Sequence, residues 1–336
     1  VSGNFQPRNE AELAETLRGC SAENRRVRLS GGGLVAKSPP DGTLGVWMFG
    51  ITGIVEIREG DLVATARAGT ALFELEQELA ERGRRFPLRP HDAGDRATIG
   101  GVFAASADGL TARLGFRARD VLLGARAVLA NGDRVAVGAK VVKSVSGLDV
   151  CKALVGSRGC LAAITEATFR IEAIPEAAQS LAGIFRGNVA AHGAVAAADA
   201  LPLQPSAIVV SPQEDDLRVD VLLEGPRAAV AEASRRLTRT GFAADKGDWT
   251  NLTSYAALDP RTRHVRVVGR APRAAPLDAV PQGAHSFLVD VLRGRFYAHV
   301  EEDRAPPRPF DALRERVRAA FDPSGIFAAG RGLGSP

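Results

Sequence analysis

Aromatic side chains are scarce in this sequence: 2 Trp, 2 Tyr and 14 Phe among 336 residues. No basic stripe is interleaved with them, and 43 Lys and Arg against 39 acids leave a net charge of only +4. That pattern excludes the stacking-plus-charge surface of a nucleic-acid binder. Cysteine is rarer still. Cys20, Cys151 and Cys160 are odd in number and form no C-x-x-C pair, so reduced thiols in a reducing compartment are expected. The 5 His form no H-x-x-x-H pair, and no metal site is expected. No apolar run reaches the length of a membrane span, and Val1-Ser-Gly-Asn-Phe5 lacks a basic segment leading into an apolar one. The expected location is cytoplasmic, or peripheral to the inner membrane through partners. Walker A and G-x-S-x-G elements are also missing. The run Gly330-Arg-Gly332-Leu-Gly334 ends the chain with no helix after it, which sets a nicotinamide Rossmann site aside.

What is plentiful is glycine, at 36 residues, and it clusters. The short apolar run Val27-Arg-Leu-Ser30 leads into Gly31-Gly-Gly33 and Leu34. Lacking Cβ atoms, such residues let backbone N–H groups converge on one point, a concavity suited to a phosphate. Taken alone, three glycines after a strand are more often just a turn. A second small-residue loop, Thr98-Ile-Gly-Gly-Val-Phe-Ala-Ala105, and a third, Gly156-Ser-Arg-Gly159, strengthen the reading. Two such loops on opposite sides of a pyrophosphate would hold a dinucleotide without any basic residue contacting it.

At 336 residues the chain exceeds one ordinary domain. Residues 9–19 predict a short helix capped by Asn9 and closed by Gly19. Residues 53–69 predict two strands around a Glu59-Gly60-Asp61 turn. Thr70 is expected to cap the next helix, with Leu72, Leu75 and Leu79 on its apolar face and Gly83 at its end. Asn131-Gly132 predicts a hairpin between strands 121–129 and 134–137. A helix near 149–155 and a strand over 164–174 close the first region. Beyond Pro175, strand 181–186, helix 188–200, strands 206–211 and 217–223 and helix 226–239 give the connectivity of a ferredoxin-like layer. Strands at 264–269, 285–292 and 295–300 and a helix over 308–320 follow.

With the loops in order, the chain resembles the FAD-linked oxidases, the vanillyl-alcohol-oxidase or PCMH type. The matching segments are Lys143-Ser-Val-Ser-Gly-Leu-Asp149, Gly156-Ser-Arg-Gly-Cys-Leu161 with Ile164-Thr-Glu166, Ala97-Thr-Ile-Gly-Gly101, Arg119-Asp120 with Gly124, and Phe321-Asp-Pro-Ser-Gly-Ile-Phe327. The order Ala66-Arg-Ala-Gly-Thr70, helix, Gly83, Pro87, Thr98-Ile-Gly-Gly101 is similar to the FAD-binding (E-type) subunits of bacterial glycolate oxidases. The resemblance implies an α+β protein. Its two-subdomain PCMH-type FAD-binding domain would span 1–175, a smaller ferredoxin-like cap 176–303, and a segment returning to the FAD domain 304–336.

It also implies the contacts. Ser30, Gly31, Gly32, Gly33 and Leu34 would face the pyrophosphate. Thr98, Ile99, Gly100 and Gly101 would approach from the other side, followed by Ala104, Ala105 and Gly109. Gly159 belongs to the third loop, and Ile164 would offer its backbone to the adenine or ribose. No His stands in the first glycine loop, so FAD would be non-covalent. The implied substrate is a small 2-hydroxy acid, with a flavoprotein and an iron–sulfur protein as partner subunits. Two alternatives stay open: a non-catalytic FAD-binding partner, and a stand-alone FAD-linked oxidase of alcohols or sugars. Oxidising a 2-hydroxy acid needs a cation for the carboxylate and a base for the hydroxyl proton. His91, Arg293 and Tyr297 are the candidates, with Arg89, Arg295, His285 and His299 behind them. Each has a plainer reading as a surface or strand-end residue.

Overall fold

The computed structural model describes residues 3–32, 42–88, 90, 96–109, 117–138, 150–245, 249, 264–273, 275–282, 284, 286–301 and 311–327. The chain divides into two compact units: Val1–Asp108 with Phe116–Ile174 and Pro309–Pro336, and Gly109–Gly115 with Pro175–Arg308.

The first unit opens with β1 (Asn4–Phe5), α1 (Glu10–Ala22), β2 (Val27–Ser30) and β3 (Leu44–Trp47). Asn9 caps α1 by accepting from the Glu12 N–H at 2.9 Å, and Glu12 accepts from the Arg8 N–H at 2.8 Å. Leu13, Ala14, Leu17 and Cys20 lie on its buried face, the i, i+4, i+7 spacing of a core-facing helix. The helix does not stop at Gly19. It runs on to Ala22, because Cys20 still has core to reach and nothing crowds Gly19. The strands β1, β3 and β2 form a parallel sheet in that order. A parallel partner for β2 has no local sequence signal, and β3 was not foreseen. Val27 donates to the Ile326 carbonyl at 2.7 Å, placing the C-terminal motif beside β2. Asp322, 3% exposed, holds that motif by accepting from the Ile326 and Phe327 N–H groups.

Next come β4 (Ile54–Arg58), β5 (Val63–Arg67), α2 (Leu72–Glu81), β6 (Arg84–Arg85), α3 (Ile99–Ala105), α4 (Ala118–Val121), β7 (Leu122–Val128), β8 (Arg134–Gly138), α5 (Val150–Leu154), β9 (Ala163–Arg170) and β10 (Glu172–Ala173). A five-stranded antiparallel sheet runs β4-β5-β9-β7-β8. In the β4–β5 turn the left-handed residue is Leu62, at φ 54°, and not Gly60. Thr70 does not cap α2. Its hydroxyl bonds the N–H and carbonyl of Gly53, and Ala71 starts the helix without a side-chain cap. Phe86, Phe103 and Phe169 meet with centroids 5.2–6.2 Å apart. All three are fully buried, and they fasten α3 to β9.

The second unit contains β11 (Ala177–Phe185), α6 (Gly187–Asp199), β12 (Ala207–Gln213), β13 (Asp216–Gly225), α7 (Arg227–Thr238), β14 (Ala243–Asp245), β15 (His264–Arg270), β16 (Ser286–Asp290) and β17 (Arg295–Glu301). Its seven strands lie in the order β14-β11-β13-β12-β16-β17-β15. Leu181, Val219, Val221, Leu223, Ile208 and Val210 form its core with apolar residues of α6 and α7. The last helix, α8 (Asp311–Phe321), returns to the first unit. The whole is a mixed helix-and-sheet protein. Among the described residues no helix is long and apolar enough to cross a membrane.

Candidate functional site

The three glycine loops meet around α3. Thr98 caps this helix, its Oγ1 accepting from the Gly101 N–H at 3.3 Å, and a side-chain oxygen there stabilises a helix start. Ser106 ends it in the left-handed region at φ 51°. The first loop lies against the helix start. A Cβ on Gly31 would stand 2.4 Å from Thr98 Oγ1, and one on Gly32 would stand 1.4 Å from the Arg96 carbonyl oxygen. Only glycine lets two backbones come this close. At Gly32 the loops therefore touch each other directly, and a diphosphate would lie beside that contact rather than through it.

The α3 amides are largely committed to the fold. Ile99 donates to the Thr70 carbonyl at 3.0 Å and Gly100 to the Ala68 carbonyl at 2.8 Å. A Cβ on Gly100 would meet the Ala68 Cβ at 2.6 Å, so this glycine serves the seating of α3 on the residue after β5. Gly101 is different, because a Cβ there would meet only Thr98 Oγ1, at 3.0 Å. Gly31 and Gly101 thus both pack on the Thr98 hydroxyl at the helix start, with no side chain of their own between. Backbone kept free of Cβ atoms beside a helix start suits the diphosphate of a dinucleotide.

The third loop docks on the far end of α3. Gly156 donates to the Phe103 carbonyl at 3.0 Å and Arg158 to the Ala104 carbonyl at 2.8 Å. A Cβ on Gly159 would touch Leu29 of β2 at 3.2 Å. Gly156, Arg158 and Gly159 all take positive φ, at 78°, 51° and 77°. Ala104 and Ala105 form the last turn of α3 and are half-buried. Gly109 has φ 74°, and Ile164 is buried within β9. Gly33, Leu34, Arg89, His91, His285 and the 143–149 motif lie outside the described residues. Sequence reasoning missed Arg96 and Ala68, which act through backbone that no side-chain motif announces. It also missed Asp108, which is buried and accepts from the Ala118 N–H at 2.7 Å.

In the second unit, Arg293 forms an ion pair with Asp290 at 2.6 Å, their side chains 5% and 1% exposed. The Arg293 N–H also donates to Asp290 at 3.1 Å. This guanidinium closes the β16–β17 turn. Burial pushes the Asp290 carboxyl up from its ordinary range, with Arg293 pulling the other way. Tyr297 is raised by burial first and by Asp290 second, while Arg295 opposes both. Tyr297 and Trp249 pack against Val209 and Leu288, and Trp249 Nε1 donates to Ser180 Oγ at 2.7 Å. His299 Nδ1 bonds Ser286 Oγ at 3.0 Å.

Residues 2–138 match the family model described as an FAD binding domain. The glycolate oxidase subunit GlcE of Escherichia coli is 36% identical over 129 residues, 38% of this chain and 37% of that one. The glycolate oxidase subunit GlcD of Bacillus subtilis is 30% identical over 205 residues, 60% of this chain and 43% of that one. A mitochondrial D-lactate dehydrogenase of Arabidopsis thaliana is 32% identical over 174 residues, 51% and 30% of the two chains. The chain thus matches less than half the length of each of these relatives. A solved structure of alkyldihydroxyacetonephosphate synthase superposes on 96% of this chain and 75% of its own, with a TM-score of 0.69 at 16% identity, a likeness of fold. Through residues 2–138 the chain is similar to the FAD binding domains of the PCMH type, and FAD is its cofactor.

Proposed function

We propose that this chain is an FAD-dependent oxidoreductase acting on a small 2-hydroxy acid, as the FAD-binding subunit of a glycolate-oxidase-like assembly. The observation that carries the reading is the Cβ-free backbone of Gly31, Gly32 and Gly101 at the Thr98-capped start of α3, within the stretch that matches the FAD binding domain. Residues 1–175 with 304–336 form the FAD domain in this reading, and 176–303 the cap. The spatial order β14-β11-β13-β12, with α6 and α7 packed on it, supports reading the cap as a ferredoxin-like layer extended by three strands. FAD supplies a two-electron acceptor for the hydride leaving the substrate carbon. The first loop and Gly101 hold the non-covalent diphosphate, and the Phe86–Phe103–Phe169 cluster keeps α3 from shifting as it binds. Electrons pass on to a flavoprotein and an iron–sulfur partner.

A second reading has this chain bind FAD without a substrate site of its own, while a related subunit carries the chemistry. The Arg293–Asp290 pair favours it, because a buried guanidinium already closed on a carboxylate is not offered to a substrate carboxylate. Anaerobic mixing of the purified flavoprotein with glycolate and with D-lactate separates the readings. Bleaching of the flavin by either acid is expected of the first. A flavin that dithionite reduces and neither acid touches overturns it and leaves the second. Bleaching by alcohols or sugars alone would point to a stand-alone oxidase.

A further inference from the structure

The turn that joins β7 to β8 carries a reactive dipeptide. Asn131 is exposed, while Gly132 is buried and left-handed at φ 82°. The Gly132 N–H donates to the Leu129 carbonyl at 3.0 Å, and the Leu129 N–H donates to the Asp133 carbonyl at 2.9 Å. That is a type I turn followed by a left-handed glycine. A Cβ on Gly132 would stand 2.5 Å from the Ala14 carbonyl oxygen and 3.0 Å from Arg18 Cβ, so the turn rests on α1. Asp133 grips the Asn131 amide at both ends. Asn131 Oδ1 accepts from the Asp133 N–H at 3.0 Å, and Asn131 Nδ2 donates to Asp133 Oδ2 at 2.7 Å.

An exposed asparagine before a glycine is labile, because the glycine has no Cβ to shield its own nitrogen. That nitrogen, once it gives up its proton, attacks the asparagine Cγ, closing a cyclic imide and expelling ammonia. Water then opens the imide to aspartate or isoaspartate, so one water enters and one ammonia leaves. In this turn both reacting groups are restrained. The Gly132 proton is given to Leu129, and Asp133 pins the Asn131 amide. We propose that Asn131 is a deamidation site kept dormant by the fold, with Asp133 as the residue that positions its amide. The inference is independent of the cofactor reading. Aspartate at this position would set a second carboxylate oxygen against Asp133, where the Nδ2 donor now sits. Isoaspartate would add a backbone atom next to the Ala14 contact. Either product loosens the β7–β8 hairpin from α1.

The full chain is incubated at mildly alkaline pH, folded and in urea, and the peptide holding residue 131 is followed by mass. The folded protein is expected to react about a hundredfold more slowly than the unfolded chain, about tenfold for each restraint. Asp133→Ala removes one restraint and should react about tenfold faster than the folded parent. Asp133→Asn keeps an acceptor beside Asn131 and should stay near the parent rate. Equal rates for the folded and unfolded parent overturn the proposal. So does a folded Asp133→Ala that reacts no faster than the parent, or an unfolded chain that keeps Asn131 intact. Asn131→Asp should lower the melting temperature more than Asn131→Ser does, and an equal or smaller loss overturns the loosening of the hairpin.

Discussion

The two units bury polar groups by different means. In the first, elements meet backbone to backbone at glycines: Gly32 on the Arg96 carbonyl, Gly100 on Ala68, and Gly69 with a would-be Cβ 2.1 Å from the Met48 carbonyl. In the second, charge is buried with its partner. Asp220 and Asp290 are each 1% exposed, and Arg218 links Asp220 to Asp245 while Arg293 holds Asp290. Burial raises both carboxyl groups against the pull of those arginines. A glycine contact fails by collision, and no second substitution nearby repairs it. A buried pair fails by leaving a charge alone, and a matched apolar pair can take its place.

Variants can break or sharpen that contrast. The largest effect belongs to Gly32→Ala, whose new methyl would fall on the Arg96 carbonyl. It should cost about 4 kcal/mol or more in urea unfolding of the flavin-free protein, and a loss under about 1 kcal/mol would show that the loops do not close as described. Asp290→Ala comes next. Stranding Arg293 should cost about 3 kcal/mol, whereas Asp290→Leu combined with Arg293→Met should return to within about 1 kcal/mol of the parent. Failure of the double variant to recover would mean that this pair is held for more than stability. Thr98→Ala removes the α3 cap and should cost about 1 kcal/mol, together with a measurable loss of FAD affinity on the proposed reading. Smallest is Leu62→Gly, which relieves a left-handed leucine and should gain about 0.5 kcal/mol after the added freedom of the unfolded chain is subtracted.

Much of this was legible from residue types. The Leu72, Leu75 and Leu79 stripe, the Asn131-Gly132 turn with Gly132 at φ 82°, and the βαββα run of the second unit all lie where periodicity and turn chemistry put them. What escaped lies where a distant segment outbids a local preference. Gly19 would end an isolated helix, but Cys20 packing carries α1 onward. Thr70 is a good cap residue, yet Gly53 offers its hydroxyl two bonds at once. The parallel pairing of β3 with β2 is set by a connection of more than ten residues that bears no strand signal. In the candidate site the same division holds. The loops could be named in advance, whereas Arg96 and Ala68 could not, because they act through a backbone atom or a methyl.

Taken by itself, the order of residues determined which segments are free of side chains, because glycine content and spacing are written directly in the chain, and the motifs around them carry the resemblance to FAD-linked oxidases. Only the tertiary structure decided what each glycine faces. Gly31, Gly32 and Gly100 are used up in holding the fold, while Gly101 meets only the Thr98 hydroxyl of its own helix start. That assignment depends on where backbone from another part of the chain arrives, and steric exclusion acts between atoms in space whatever their distance in sequence.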